Sequence, residues 1–256
     1  MSYDPLRRAV EAAAARFERW QPQGAPVTLT PSQRAALIRD ATAIRRPAFV
    51  PELALYLAEE PFTVWQRTEE AGGAELPPPY WAFAWAGGLA LARYLLDHPE
   101  TVSGRTVLDL ASGSGLTAIA AARAGARRVV ANDIDPFALT AAQLNAEVNG
   151  VAVEMDGRDL LGSERVDWEV VLAGDIFYER ETAERVQRFL RRAHASGAAV
   201  LIGDLGRRYL PRPWLMPLAV YEVPVEAALE DRPVKRTTVW RFREESELPP
   251  LSLGYT

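Results

Sequence analysis

The stretch RTVLDLASGSGLTAIAAARAGA, residues 105–126, constrains the fold more than any other part of the chain. Its opening RTVLDL is a β-branched and apolar run, the pattern of a buried strand. Gly113 and Gly115 then let the backbone turn, and an alanine-rich helix runs to a glycine stop. The unit recurs. RRVVAN (127–132) is a second strand, and PFALTAAQLNAEVNG (136–150) is a helix with Pro136 in its first turn and Asn149-Gly150 as its stop. VAVEM (151–155), WEVVLAG (168–174) and GAAVLIGD (197–204) are further strands, and ERETAERVQRFLRRAH (179–194) is the helix before the last of them. AVYEVPVE (219–226) and TTVWRF (237–242) flank a polar turn around Asp231–Lys235 and form a terminal hairpin. The expected class is therefore α/β: a Rossmann-like, seven-stranded, mostly parallel sheet that ends in an antiparallel hairpin. Helices cover both faces and the crossovers are right-handed.

Ahead of this lies a different pattern. Residues 1–76 are expected to form an N-terminal helical extension and 77–256 the α/β domain. Residues 1–20 read as a helix. TLTPSQRAALIRDATAI (28–44) reads as a second, with Thr30 at the N-cap, Pro31 at the first position and Gln33 closing a capping box. RRPAFVPELALYLAEE (45–60) starts extended and then turns helical, and 69–80 is a turn-rich connector. PPPYWAFAWAGG (77–88) reads as extended. Trp81, Phe83 and Trp85 then project from one side, with the alanines toward the sheet.

Composition removes several classes of function. The 256 residues include no cysteine and only two histidines, His98 and His194, far apart in sequence. Thiolate and His-based metal centres, disulfides and a Ser-His-Asp triad are not expected. A net charge of −5 argues against nucleic acid as the main partner. No apolar run is long enough to span a membrane. The amphipathic N-terminus carries Asp4, Glu11 and Glu18, which is wrong for an acid-poor mitochondrial presequence, so a cytoplasmic location and a monomer are expected. Lys235 is the only lysine among many arginines, a bias typical of GC-rich coding.

Ligands of such sheets bind beyond the carboxyl ends of the strands. Asp109, Ala111, Gly113 and Gly115 follow the first strand there, at the N-terminus of a helix with free N–H groups. Gly113-x-Gly115-x-x-Ala118 with Asp133 about twenty residues on also fits a dinucleotide fingerprint, so a nicotinamide enzyme stays open. Asp109 ahead of the glycines would repel a pyrophosphate. It suits a cationic ligand group, such as the sulfonium or ammonium of S-adenosyl-L-methionine, directly or through water. Asp133 is placed to accept from both ribose hydroxyls, Ile134 to lie on the adenine face, and Asp135 to cap a helix. Asp159, preferred to Asp156, is the candidate for the adenine amino group. Trp81 and Trp85 are expected to roof the methionine end, with the N–H groups at Gly87 and Gly88 receiving its carboxylate. After the fourth strand, Asp175 and Tyr178 suit an entering amine. Arg207 and Arg208, in a loop on the same side, are candidates for docking an acidic protein partner.

VLDLASGSG with VVANDIDP resembles the seven-β-strand, class I S-adenosylmethionine-dependent methyltransferases, and GDIFY matches the D-x-x-Y signature of their lysine methyltransferase branch, family 16. PPPYWAFAWAGGLALARYLLDHPE, TAIAAARAGARRVVANDIDP, GDIFYE, VLIGDLGR and TTVWRF together resemble the electron transfer flavoprotein β-subunit lysine methyltransferases and their bacterial homologues, over about residues 45–243. Ala111 departs from the superfamily, which often has glycine there, and little effect on binding is expected. The resemblance implies methylation of protein lysines, on the flavoprotein β-subunit and, for bacterial members, on the ribosomal stalk protein. It places Asp133 on the cofactor ribose, Gly113 and Gly115 along the cofactor, and Asp175 and Tyr178 at the lysine channel. A lysine must react as the neutral amine, yet Asp175 favours the ammonium, so its expected role is capture and orientation. A methyltransferase for small-molecule amines is the alternative.

Overall fold

A computed structural model describes residues 29–72, 76–164, 166–225 and 233–243. The helix expected over 1–20 lies outside the described residues. Seven strands form the main sheet: β3 (Thr106–Leu110), β4 (Arg128–Asn132), β5 (Glu154–Asp156), β6 (Val170–Gly174), β7 (Ala199–Asp204), β8 (Leu215–Pro224) and β9 (Val234–Phe242). Their spatial order is β5-β4-β3-β6-β7-β9-β8. The first five are mutually parallel, while β9 runs antiparallel to both β7 and β8. The seven-stranded, mostly parallel sheet with its terminal hairpin is thus as the sequence pattern implies.

Alternation along the strands sorts the core into two faces. Val107, Val129, Val170 and Leu201 point to one side, where they pack against α3 (Ala86–Asp97), α4 (Leu116–Arg123) and residues of α5 (Pro136–Asn149). Leu108, Val130, Val171 and Val200 point to the other, against Val186, Phe189 and Leu190 of α6 (Arg180–Ala195). The order reverses between β3 and β6, so the loops after these two strands open a crevice at their carboxyl ends.

The N-terminal elements differ from expectation beyond the first helix. The helix expected over 28–44, α1 (Pro31–Ala41), starts as read, with a complete capping box between Thr30 and Gln33, but stops before Ala43, where a strand begins. Residues 45–60 do not turn helical. β1 (Ala43–Arg45) and β2 (Leu55–Leu57) pair antiparallel, and helix α2 (Pro61–Gly72) begins only at the proline, running into the segment read as a connector. The reason lies in α5. Asn145, fully buried, accepts from Tyr56 N at 2.7 Å and donates to Ser114 O at 2.8 Å. One turn on, Asn149 accepts from Ala54 N at 3.0 Å and donates to Ala54 O at 2.6 Å. Two amides of α5 hold residues 54–56 extended and overrule a weak local helix preference.

The aromatic run also departs from an extended strand. Tyr80–Ala82 form a 3-10 turn, and only Phe83 to Trp85 are extended before α3 begins. Trp81 is buried and stacks on Phe137 of α5, 5.8 Å between centroids. Ala82 is also fully buried, in the same cluster. Trp85 Nε1 donates to Tyr80 O at 2.9 Å and fixes the turn.

The N-terminus of α3 lies in backbone contact with the ends of β6 and β7. A Cβ on Gly87 would meet Gly203 O at 2.2 Å and Asp175 Oδ2 at 2.6 Å, and one on Gly203 would meet Gly87 O at 2.1 Å. Gly88 has room, its nearest neighbour being Leu116 Cδ2 at 3.6 Å. Gly87→Ala is therefore expected to lower stability by about 2–3 kcal/mol through overpacking. Gly88→Ala should leave stability unchanged or raise it by up to about 1 kcal/mol through helix propensity. Urea denaturation of the two variants checks the contrast.

Candidate active site

The crevice at the switch point is a cleft of about 400 Å³. It is built from the loops after β3, β4 and β6, the turn before α3 and the first turn of α6. Asp109, Ala111, Gly113, Asp133, Ile134, Asp159, Asp175, Tyr178, Trp81, Trp85 and Arg207 all line it. Gly87, Gly115 and Arg208 do not.

Gly115 takes the left-handed conformation, φ 75°, at the start of α4, and a Cβ there would strike Ala142 at 2.8 Å. Its role is helix packing. Gly113, φ 52°, faces open space with Trp81 Cα at 3.9 Å from an added Cβ. Ala111 also sits at φ 54°. A non-glycine residue there costs about 1 kcal/mol of backbone strain. The Ser112 hydroxyl is buried and has no hydrogen-bond partner among the described residues.

Carboxylates from the strand ends cap helices that lack caps of their own. Neither Gly115 nor Trp85, the N-cap residues of α4 and α3, provides a side-chain hydrogen bond. Asp109, 1% exposed, accepts from Ala118 N in the first turn of α4 at 3.0 Å. Asp175, 8% exposed, accepts from Gly88 N in the first turn of α3 at 2.9 Å. Of the two N–H groups expected to hold a ligand carboxylate at the start of α3, that of Gly88 is thus already taken by the protein, and Gly87 packs its Cα against Gly203. Asp133 ties two loops, accepting from Gly113 N and Asp135 N, both at 3.0 Å. Asp135 caps α5 through Phe137 N at 2.8 Å, as read.

Burial governs the protonation of this group of acids. It pushes the Asp109 carboxyl up to about 8, against the lowering effect of the Ala118 N–H. It raises Asp135 to about 6 and raises Asp133 also. These groups would be most comfortable facing a cation.

Ile134 is 73% exposed at the cleft, an apolar side chain waiting for cover. Asp159 caps the short turn after β5 through Leu161 N and pairs with Arg185 of α6 at 2.6 Å, which lowers its carboxyl. Asp156 pairs with Arg158 at 2.6 Å and does not line the cleft. The charge on Asp159 is thus already matched.

At the far end, Tyr178 is 45% exposed, and its ring lies 5.6 Å from that of Tyr80. Burial raises both phenols, so both stay protonated near neutral pH. Tyr80, Ser112, Thr182 and Arg185 line the cleft as well. Tyr80 was legible as part of the aromatic run. Arg185 read as one more arginine on a helix face. Arg207 turns inward and pairs with Asp175 and, at 3.7 Å, with Asp204. Arg208 lies instead over the Tyr209 ring. The two arginines, read together as a docking pair, have separate environments. Among the described residues no cluster could hold a metal ion, and no helix is long and apolar enough to cross a membrane.

This strand order, with an acid-ended glycine turn after the central strand and a second acid after its neighbour, is that of a Rossmann-like methyltransferase domain. The family model for ribosomal protein L11 methyltransferase (PrmA) matches residues 91–176. The solved structure of the ribosomal protein L11 methylase from Lactobacillus delbrueckii subsp. bulgaricus superposes with a TM-score of 0.44, at 22% identity, over 63% of this chain and 81% of that one. The electron transfer flavoprotein beta subunit lysine methyltransferase of Danio rerio is 38% identical over 80% of this chain and 81% of its own length. The Homo sapiens protein of the same name is 36% identical over 86% of each. The chain belongs to the family of electron transfer flavoprotein beta subunit lysine methyltransferases.

The elevated Asp109 carboxyl has a consequence for stability. An aspartate is ordinarily half-protonated at about 3.9. Its folded value of about 8 means that the native state holds a proton which the unfolded chain has lost. The stabilising contribution is complete below about pH 4 and is lost as pH rises through about 8, by at most about 1.4 kcal/mol per pH unit. Asp109→Asn keeps an acceptor for Ala118 N and cannot ionise. Between pH 5 and 8 the ligand-free wild type should lose stability more steeply than this variant, as urea midpoints will report.

Proposed function

We propose that this chain transfers methyl groups from S-adenosyl-L-methionine to lysine side chains of a protein, and that this protein is the electron transfer flavoprotein β-subunit. One observation carries the reading. Asp175 and Tyr178 line the same cleft as Asp109, Gly113 and Asp133, so the acid-and-phenol pair of the lysine methyltransferases opens onto the cofactor position. The names of relatives that align with most of the chain support the substrate.

The residues fit the cofactor. The unpartnered Ser112 hydroxyl, the open space beside Gly113, the exposed Ile134 and the raised acids form a cradle that accepts hydroxyls, an apolar ring and positive charge. Asp133 would hold the ribose with the lone pairs left by its two backbone bonds. Ile134 would cover the adenine, and Asp109 would face the cationic end. When bound, the cofactor supplies a methyl group activated by a sulfonium. What the protein adds is placement. Tyr80, Tyr178 and Trp85 wall the entrance with rings that exclude water and tolerate a cation. Asp175 fixes the N-terminus of α3 and so sets the wall behind them.

Incubation with methyl-labelled S-adenosyl-L-methionine and recombinant flavoprotein β-subunit should label lysines, identified by mass spectrometry. Label confined to small molecules would favour an amine methyltransferase. Asp133→Ala should weaken cofactor binding in isothermal titration by about tenfold or more, the loss of charge-assisted hydrogen bonds. Binding of NAD in place of S-adenosyl-L-methionine would overturn the reading.

A further inference from the structure

Asp175 cannot be a free anion waiting for an ammonium. Its Oδ2 accepts from Gly88 N and its Oδ1 from the Arg207 guanidinium, so both oxygens have partners within the chain. The backbone enforces this. Asp175 is held at φ 54°, and Asp204 accepts from Gly206 N and Arg207 N, both at 2.6 Å, which turns the loop after β7 inward. The Arg207 side chain is only 20% exposed and lines the cleft. A guanidinium so placed has little surface left to dock an acidic partner.

We propose that Arg207 is a positioning residue that keeps the acceptor lysine uncharged. By occupying the Asp175 carboxylate it denies an incoming ammonium its anion. The amine therefore enters after giving its proton to solvent, with its nitrogen lone pair free. This rests on the reading of the cleft as a lysine methyltransferase site, and it resolves a conflict in that reading: an unpaired Asp175 would hold the lysine in the unreactive form.

The other titratable groups facing this corner do not reverse the balance. Asp204, at the end of β7, is fully buried behind Arg207, does not line the cleft, and has its carboxyl raised by burial. Tyr80, before α3, and Tyr178, after β6, remain neutral phenols. Glu179 caps α6 through Glu181 N and Thr182 N, and Asp133, after β4, accepts from two backbone N–H groups and has its carboxyl raised by burial.

The test is the pH dependence of methylation of the recombinant flavoprotein β-subunit, from about pH 6.5 to about pH 10, for wild type, Arg207→Gln and Arg207→Lys. Free lysine ionises near 10.4. Wild-type kcat should rise on an ionisation below that value. In Arg207→Gln the rise should move up by about 1–2 units, the usual effect of one neighbouring charge. At pH 7.5 its kcat should then fall about tenfold or more, and its KM should fall too, because the unpaired Asp175 now captures the ammonium. Near pH 10 its kcat should return to within about twofold of wild type. Arg207→Lys should track the wild type. A loss equal at every pH, or a raised KM with unchanged kcat, would overturn the proposal in favour of a structural or docking role. Should Arg207→Gln fail to fold, a wild-type ionisation at or above that of free lysine overturns it as well. Wild-type protein that labels no lysine overturns the functional reading together with this one. Labelled lysine with an unshifted profile overturns the role of Arg207 alone.

Discussion

The contact between Gly87 and Gly203 underlies the rest of the site. No side chain fits between the start of α3 and the end of β7, so two backbones meet directly. That approach brings Gly88 N within 2.9 Å of Asp175 and swings the preceding aromatic residues over the crevice. With a bulkier residue at either glycine, α3 would stand off the sheet, its first turn would lose its cap, and the wall of Tyr80 and Trp85 would lift away. Close-packed interiors transmit such displacements rather than absorbing them.

Two buried carboxylates, Asp109 and Asp175, each serve a helix from another element. The same burial that makes them good remote caps makes their charge costly. The protein answers differently at the two positions. Asp175 receives an internal cation, Arg207, and is neutralised in place. Among the described residues Asp109 has no such partner; it accepts from the Ala118 N–H, and its carboxyl rises to about 8. One end of the cleft thus holds a carboxylate paired within the protein, and the other an acid that burial keeps protonated and a nearby cation would ionise. That asymmetry agrees with a cationic cofactor bound at the Asp109 end and an amine admitted uncharged at the other.

Much of this was readable in the chain. The βα repeat, the capping box at Thr30, the Asp135 cap and the Gly150 stop rest on contacts between residues a few positions apart, which sequence patterns report directly. Asp109, Asp133, Asp175 and Tyr178 stand at strand ends, and the sheet topology carries them to one cleft. The errors share another cause. Residues 54–57 became a strand because Asn145 and Asn149, some ninety positions away, bind their backbone. Trp81 is buried because Phe137 was there to stack on it, although it still lines the cleft. Gly87 closed a helix–sheet contact, the N–H of Gly88 went to Asp175, and Arg207 turned inward while Arg208 did not.

The sequence by itself determined the architecture and the chemical inventory of the site, since alternation, glycine turns and acids at strand ends are local properties of the chain. Only the tertiary structure decided which of those acids has its charge already balanced. Ion pairing and remote capping are made between residues far apart in sequence, and their strength depends on burial, which exists only once the chain has folded. Asp175 and Asp109 look alike as letters at the end of a strand. One is held by an arginine thirty-two positions away, the other by a single backbone N–H.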